Sequence, residues 1–135
     1  MITDVAFHQV AGAVEEETPL VKCAINMLCE YFSGTRDNFD DLPISPEGTD
    51  FQKKAWTALR AIPYGQTRSY KEQAESIGNV KACRAVGGAN GLNPISIIIP
   101  CHRVIGSNGK LTGYGGGLDI KKALLELEDK FSKTP

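Results

Sequence analysis

Apolar residues recur at helical spacing along much of this chain, and short extended runs and glycine turns punctuate them. Val21, Ala24, Ile25, Leu28 and Phe32 fall on one face of a helix. Thr18-Pro19 supplies its cap and first residue, and Gly34 closes it. Cys29 lies beside this stripe and reads as core. Residues 1–17 are weakly patterned, with one short strand near Val5–Val10 and a loop. From Arg36 to Gly48 runs a loop with two prolines and the acids Asp37, Asp40, Asp41 and Glu47. It is too short and too apolar to be a disordered spacer, and it marks a boundary between residues 1–48 and 49–135.

A second helix begins at Thr49 or Asp50. Its stripe is Phe51, Ala55, Ala58, Leu59 and Ile62, with Trp56 at the edge and Pro63-Tyr64-Gly65 as the stop. Ser69-Tyr70-Lys71-Glu72 is a capping box that opens a short helix carrying Ala74 and Ile77 inward and stopping at Gly78. Another short helix is expected over Lys81–Asn90, after a tight turn, and the two together read as a helix-turn-helix. Nearly all residues of this second helix are small. Gly87-Gly88 costs about 1 kcal/mol per glycine relative to alanine, so something must come close to that backbone. Tight helix packing would satisfy this, and so would a smooth surface pressed into a nucleic-acid groove, which Lys81 and Arg84 favour. An apolar strand Ile95–Ile99 follows Asn93-Pro94, then an extended Val104-Ile105 and a turn at Ser107–Lys110. The last helix runs from Asp119 to about Lys130 and buries Ile120, Ala123, Leu124, Leu127 and Phe131. The whole is mixed α/β: a small N-terminal segment and a mainly helical C-terminal domain containing the helix-turn-helix and a cysteine turn.

Composition adds the setting. With 135 residues, 41% hydrophobic and 23% charged, the chain can bury a core of its own. No apolar run is long enough to span a membrane, and Met1-Ile2-Thr3-Asp4 lacks the pattern of a secretory signal. The expected compartment is the cytoplasm, or the nucleus in a eukaryote. Cys23, Cys29, Cys83 and Cys101 form no CxxC pair, so no zinc site is expected; a disulfide from Cys23 or Cys29 stays open, with a reducing compartment arguing against it. The net charge of −1 conceals an asymmetry. Residues 1–50 carry two basic and ten acidic side chains, and residues 51–135 carry thirteen and six. A basic C-terminal portion points to a polyanionic partner, although chance segregation on a solvated surface gives the same count.

The candidate chemistry sits in Pro100-Cys101-His102-Arg103. A cysteine is a poor nucleophile until a base takes its proton, and Cys101 has an imidazole next to it, just past an apolar strand. The plain alternative is a structural cysteine with a solvated histidine beside it. Thr112-Gly113-Tyr114-Gly115-Gly116-Gly117 lacks the spacing of a triphosphate loop and reads as a pocket wall to which Tyr114 adds a hydroxyl. Glu128 lies one residue off the stripe of the last helix. It can reach inward, or lie on the surface as most such residues do.

These residues carry a resemblance. Pro63–Tyr70, Arg84–Asn90, Asn93-Pro94-Ile95, Ile99–Gly106 and Gly113–Leu118 occur in order, and residues from about Thr49 to Glu128 resemble the C-terminal domain of the O6-alkylguanine-DNA alkyltransferases (methylated-DNA–protein-cysteine methyltransferases). The resemblance implies irreversible, single-turnover transfer of an alkyl group from guanine O6 onto Cys101, and leaves O4-alkylthymine open as a further substrate. By the match, His102 draws the thiol proton through a bridging water and Glu128 holds the imidazole. Asn93 braces the reactive turn, and Tyr114 donates toward the guanine ring. Backbone at Val104 and Cys101 accepts from the exocyclic amine, and the Gly115 amide lies near O6. The partner implied is double-stranded DNA, bound by a monomer without metal or cofactor. Its damaged base is flipped out, with Arg84 filling the stack and Tyr70 crowding the 3′ phosphate. The second helix of the motif enters the minor groove, which suits the small Ala82, Gly87 and Gly88 and departs from the usual major-groove docking.

Fewer than 50 residues precede Thr49, where the family usually has a longer domain with a β-sheet, so that domain is expected to be shortened. Two rival functions compete. A non-catalytic sensor of alkylated bases would lack the cysteine, and Cys101 opposes it. An unrelated Cys-His hydrolase would need an oxyanion hole, and it leaves the helix-turn-helix without a purpose.

Overall fold

The computed structural model describes residues 2, 5, 18–106, 108–109 and 117–132. Among these, five α-helices, a 3-10 turn and a two-stranded parallel sheet make a mixed α/β fold. The expected strand near Val5–Val10 and the glycine loop 112–116 lie outside the described residues, apart from Val5.

Helix α1 (Pro19–Phe32) starts where Thr18 Oγ1 accepts from the Val21 amide at 3.2 Å. Its buried face is Ala24, Met27 and Tyr31, with Leu20, Val21 and Leu28 at the margin. This corrects the expected stripe. Ile25 and Phe32 remain about half exposed (47% and 49%), and Cys29 faces solvent instead of the core. The helix is rotated because its longest inward arm, Tyr31, has a polar partner in the interior.

Helix α2 (Asp50–Arg60) opens with a complete capping box, Thr49 and Gln52 each bonding the other's amide. Trp56 is central to the core, not at its edge: it is 2% exposed, and its indole N–H donates to the Ala89 carbonyl at 2.8 Å. Strand β1 (Arg68–Ser69) leads into α3 (Tyr70–Ser76), whose capping box pairs Ser69 with Glu72 as expected. The connection to α4 (Cys83–Gly91) spans residues 77–82, longer than the tight glycine turn expected. Lys81 belongs to this turn, and α4 begins two residues later. Gln73 and Asn90, both buried, exchange amide hydrogen bonds of 2.9 and 2.8 Å and fix α3 against α4.

Ile95–Ile99 is not a strand. Ile95 pairs with Val5 and Ser96 with Ile99, and the chain turns between them with Ile97 at φ 71°. A β-branched residue rarely adopts that conformation, and its cost is about 1–3 kcal/mol. Burial of Ile95, Ile97, Ile98 and Ile99 offsets it. The apolar run therefore reports burial and not extension. Beyond it come the 3-10 turn Cys101–Arg103 and β2 (Val104–Ile105), which runs parallel to β1 with Arg68 opposite Val104. Helix α5 (Leu118–Ser132) buries Lys121, Leu124 and Glu128 and leaves Ala123 exposed, against expectation. One hydrophobic cluster joins α1, Phe39 and Leu42 to α2, the 95–99 turn and Cys101. Among the described residues no helix is long and apolar enough to cross a membrane.

Candidate active site

The 3-10 turn, α5 and α1 converge on one carboxylate. Glu128 is 1% exposed, and its two oxygens receive five donors. His102 Nε2 meets Oε2 at 2.5 Å, and the Tyr31 hydroxyl donates to the same oxygen at 2.6 Å. Arg103 donates through Nε to Oε1 at 2.8 Å and through Nη2 to Oε2 at 3.1 Å. The Gly65 amide completes Oε1 at 3.1 Å. Gly65 has φ +78°, and a Cβ there would lie 2.7 Å from Ser132 Cβ, so no larger residue could present that amide in this way.

Burial alone would raise the Glu128 carboxyl, but the hydrogen bonds and charges of His102 and Arg103 prevail and hold it at about 2. Glu128 is therefore an anion at neutral pH, and the proton between it and His102 resides on Nε2. The other ring nitrogen, Nδ1, is left with its lone pair. It is buried and has no hydrogen-bond partner in the described protein. Burial pushes the His102 pKa down, against the pull of Glu128, so the imidazole is a neutral acceptor at Nδ1.

Cys101 is 8% exposed, and burial pushes its thiol up, while the Asn93 amide and the Lys121 ammonium work in the other direction. A thiol in this state needs a base. Lys121 is fully buried, and burial lowers its pKa. Asn93 ties the turn behind the cysteine: its Nδ2 donates to the Ile99 carbonyl at 2.8 Å, and its Oδ1 accepts from the Ile95 amide at 2.9 Å. Val104 is fully buried, and its amide donates back to the Cys101 carbonyl.

Of the residues singled out in the sequence, Cys101, His102, Glu128, Asn93 and Val104 come together here. Tyr114 and Gly115 lie outside the described residues. Arg84 is exposed on α4, and Tyr70, at the start of α3, packs its ring beside Gly87. Ala82 corrects the expectation of a surface residue: it is 8% exposed and packs with Ala74 and Val86. Tyr31, Arg103 and Lys121 were not anticipated. Arg103 adjoins Cys101 and His102, so a buried cation was the cue available there. No local pattern marked Tyr31, which bonds a residue 97 positions away. Among the described residues no cluster of His, Cys, Asp and Glu could hold a metal.

A helix-turn-helix packed beside buried Cys101, His102 and Glu128 defines a protein with nucleic-acid-binding architecture and a candidate reactive cysteine. The family model described as 6-O-methylguanine DNA methyltransferase, DNA binding domain, matches residues 50–130. This chain belongs to that family. It is 65% identical over 106 residues to the methylated-DNA–protein-cysteine methyltransferase of Methanosarcina barkeri, covering 78% of this chain and 66% of that protein. It is 60% identical over 105 residues to the Mycobacterium bovis protein of the same name, covering 78% and 63%. The chain thus spans about two thirds of the length of these relatives. The crystal structure of Mycobacterium tuberculosis OGT in complex with DNA superposes with a TM-score of 0.80 at 57% identity, over 82% of this chain and 68% of that one.

Proposed function

We propose that this chain repairs alkylated DNA by direct reversal, taking the alkyl group of O6-alkylguanine onto Cys101. The single observation that carries the reading is His102, tied through Nε2 to the Glu128 anion with Nδ1 unpartnered, next to a cysteine whose thiol is held protonated by burial. In the proposed reaction, Nδ1 takes the thiol proton through a water. The Cys101 sulfur attacks the alkyl carbon, the carbon–O6 bond breaks, and its electron pair leaves with the guanine. By the family resemblance Tyr114, outside the described residues, is the donor toward the ring as that charge develops and Gly115 supplies an amide for O6; the base departs as guanine once protonated. Asn93 holds the turn, and Val104 offers backbone to the exocyclic amine. The thioether product is stable, so each chain acts once.

The substrate base must leave its stack, which costs a few kcal/mol. Arg84 fills the gap and Tyr70 turns the nucleotide out. Among the described residues, and apart from the helix's own backbone, nothing lies within 4 Å of where a Gly88 Cβ would sit, and the nearest atom to a Gly87 Cβ is a Tyr70 carbon at 3.7 Å. Internal packing does not require glycine at either position, which supports an external surface, the DNA minor groove, as the close neighbour. In this reading residues 49–135 carry the binding and chemistry, and of residues 1–48 the described Ile2, Ala24, Met27, Tyr31, Phe39 and Leu42 pack in the cluster that holds the 95–99 turn and Cys101. The protein acts as a cytoplasmic monomer without cofactor.

Intact mass and peptide mapping after incubation with an O6-methylguanine duplex test the proposal. The expected result is one methyl group per chain, on the Cys101 peptide, absent in Cys101→Ser while duplex binding persists. Tight binding to the lesion with no mass gain in the wild-type chain would leave a sensor in place of a transferase.

A further inference from the structure

Tyr31 is fully buried, is titratable, and touches the reacting cluster, yet the alkyl-transfer reading gives it no task. Its hydroxyl reaches Glu128 Oε2 at 2.6 Å and stands 3.5 Å from His102 Nε2. Phe39 and Tyr64 pack around its ring, with centroids at 5.8 and 6.1 Å. We propose that Tyr31 is a positioning residue for alkyl transfer: it shares Glu128 Oε2 with His102 and so limits how much of the carboxylate charge reaches the imidazole. The inference rests on the proposed transfer to Cys101.

The argument runs through one oxygen. Oε2 accepts from the Tyr31 hydroxyl, from His102 Nε2–H and from Arg103 Nη2. A short O–H···O⁻ bond is charge-assisted, and an anion divided among donors binds each of them less strongly. Burial, and then the neighbouring Glu128 charge, push the Tyr31 hydroxyl far above its ordinary value, so it remains a donor throughout. Other charges also face the ring: Glu128 and Lys121 from α5, and Arg103 from the turn that carries His102 itself. Tyr64 faces Glu128 and Arg103 from the loop after α2. Arg103 is already a full cation, so charge released on loss of the Tyr31 hydroxyl falls on His102, which becomes more basic. The base form of His102 is the neutral ring, and a more basic ring is lost to protonation at higher pH. Tyr31 thus keeps the imidazole neutral further into the acid range, and it does so from α1, outside the 50–130 match.

The experiment compares the wild type with Tyr31→Phe, which keeps the ring packing and removes only the donor. Single-turnover transfer from free O6-benzylguanine is followed against pH, and the His102 ring is titrated by 15N NMR. In Tyr31→Phe the acid limb and the ring titration should both move up by about half a pH unit or more, the size set by part of a hydrogen bond to a charged group. Phe39→Leu loosens the same packing without touching the carboxylate, and should lower the melting temperature with both midpoints unmoved. In the wild-type chain the Tyr31 Cζ resonance should titrate with the His102 midpoint. Unshifted midpoints in Tyr31→Phe, or a Tyr31 resonance that ignores His102, would overturn the inference. A wild-type chain that takes no benzyl group would instead overturn the transfer reading, and the ring titration would still decide whether Tyr31 governs His102.

Discussion

Around Glu128, five donors on two oxygens leave no freedom in where His102 can sit. Along the outer side of α4 the opposite holds: among the described residues Gly88 has no neighbour where a side chain would go, and Arg84 is exposed. Contacts within the chain account for the first region except at His102 Nδ1, which is left without a partner in the described protein. They account for little in the second, where Gly88 costs stability and meets no neighbour among the described residues beyond its own helix. A feature that internal packing explains informs us about folding and preorganisation. One that internal packing leaves unexplained points to something that binds from outside. The two regions should therefore fail in different ways when altered.

The largest effect is expected at the buried end. Glu128→Gln removes the anion from Arg103 and leaves a buried cation facing a neutral amide, which should cost about 3–5 kcal/mol in urea unfolding. Transfer to free O6-benzylguanine should fall by about 100-fold or more, since the imidazole loses its orienting charge. The pH dependence follows from the same groups. His102 has its folded pKa below the ordinary 6.5, so the unfolded chain takes up its proton first, and stability declines as pH falls below that value. Glu128 is held at about 2 against an ordinary 4.5, so its contribution is complete above 4.5 and is lost as pH falls from there toward 2. Thermal midpoints of the wild type should drop through both windows, and Glu128→Gln should lack the lower one. A variant with wild-type stability at neutral pH would show that the carboxylate does not hold this end together.

The outer region should fail without unfolding. Arg84→Ala is expected to leave the urea midpoint unchanged and to slow transfer from an O6-methylguanine duplex by about tenfold or more, since filling the vacated step offsets a few kcal/mol of unstacking. Reaction with free O6-benzylguanine, which needs no flipping, should stay within a factor of about two. Equal losses on both substrates would remove Arg84 from base flipping and return it to the ordinary surface.

The boundary between the two regions also divides what the sequence made legible. Helix starts were readable because they depend on neighbours: Thr18, Thr49 and Ser69 each cap the amide three residues on. Cys101 and His102 were readable because they are adjacent, and Glu128 only as one of two options. Tyr31 was invisible, because its place depends on partners 71 and 97 residues away, and the helix turns to deliver it. That rotation is also why Cys29, Ile25 and Phe32 face outward. Ile95–Ile99 misled for a different reason. A run of isoleucines favours burial and extension alike, and nothing in its periodicity tells a strand from a buried turn with Ile97 at φ 71°.

Gly88→Ala gives the smallest effect and the sharpest contrast, because its two expected consequences have opposite signs. Gly88 lies inside α4, it is exposed, and a Cβ there meets nothing within 4 Å among the described residues beyond its own helix. Alanine should therefore raise stability by up to about 1 kcal/mol, through the helix propensity that glycine sacrifices. If α4 lies against a groove, the same methyl group must displace the duplex or be crowded by it. Affinity for the O6-methylguanine duplex should then fall about three- to tenfold, while free O6-benzylguanine reacts as before. Urea unfolding and a duplex titration on the same preparation read both signs. A more stable protein with undiminished duplex affinity would mean that the outer face of α4 at Gly88 does not touch DNA, and the small side chains of this helix would then need another explanation.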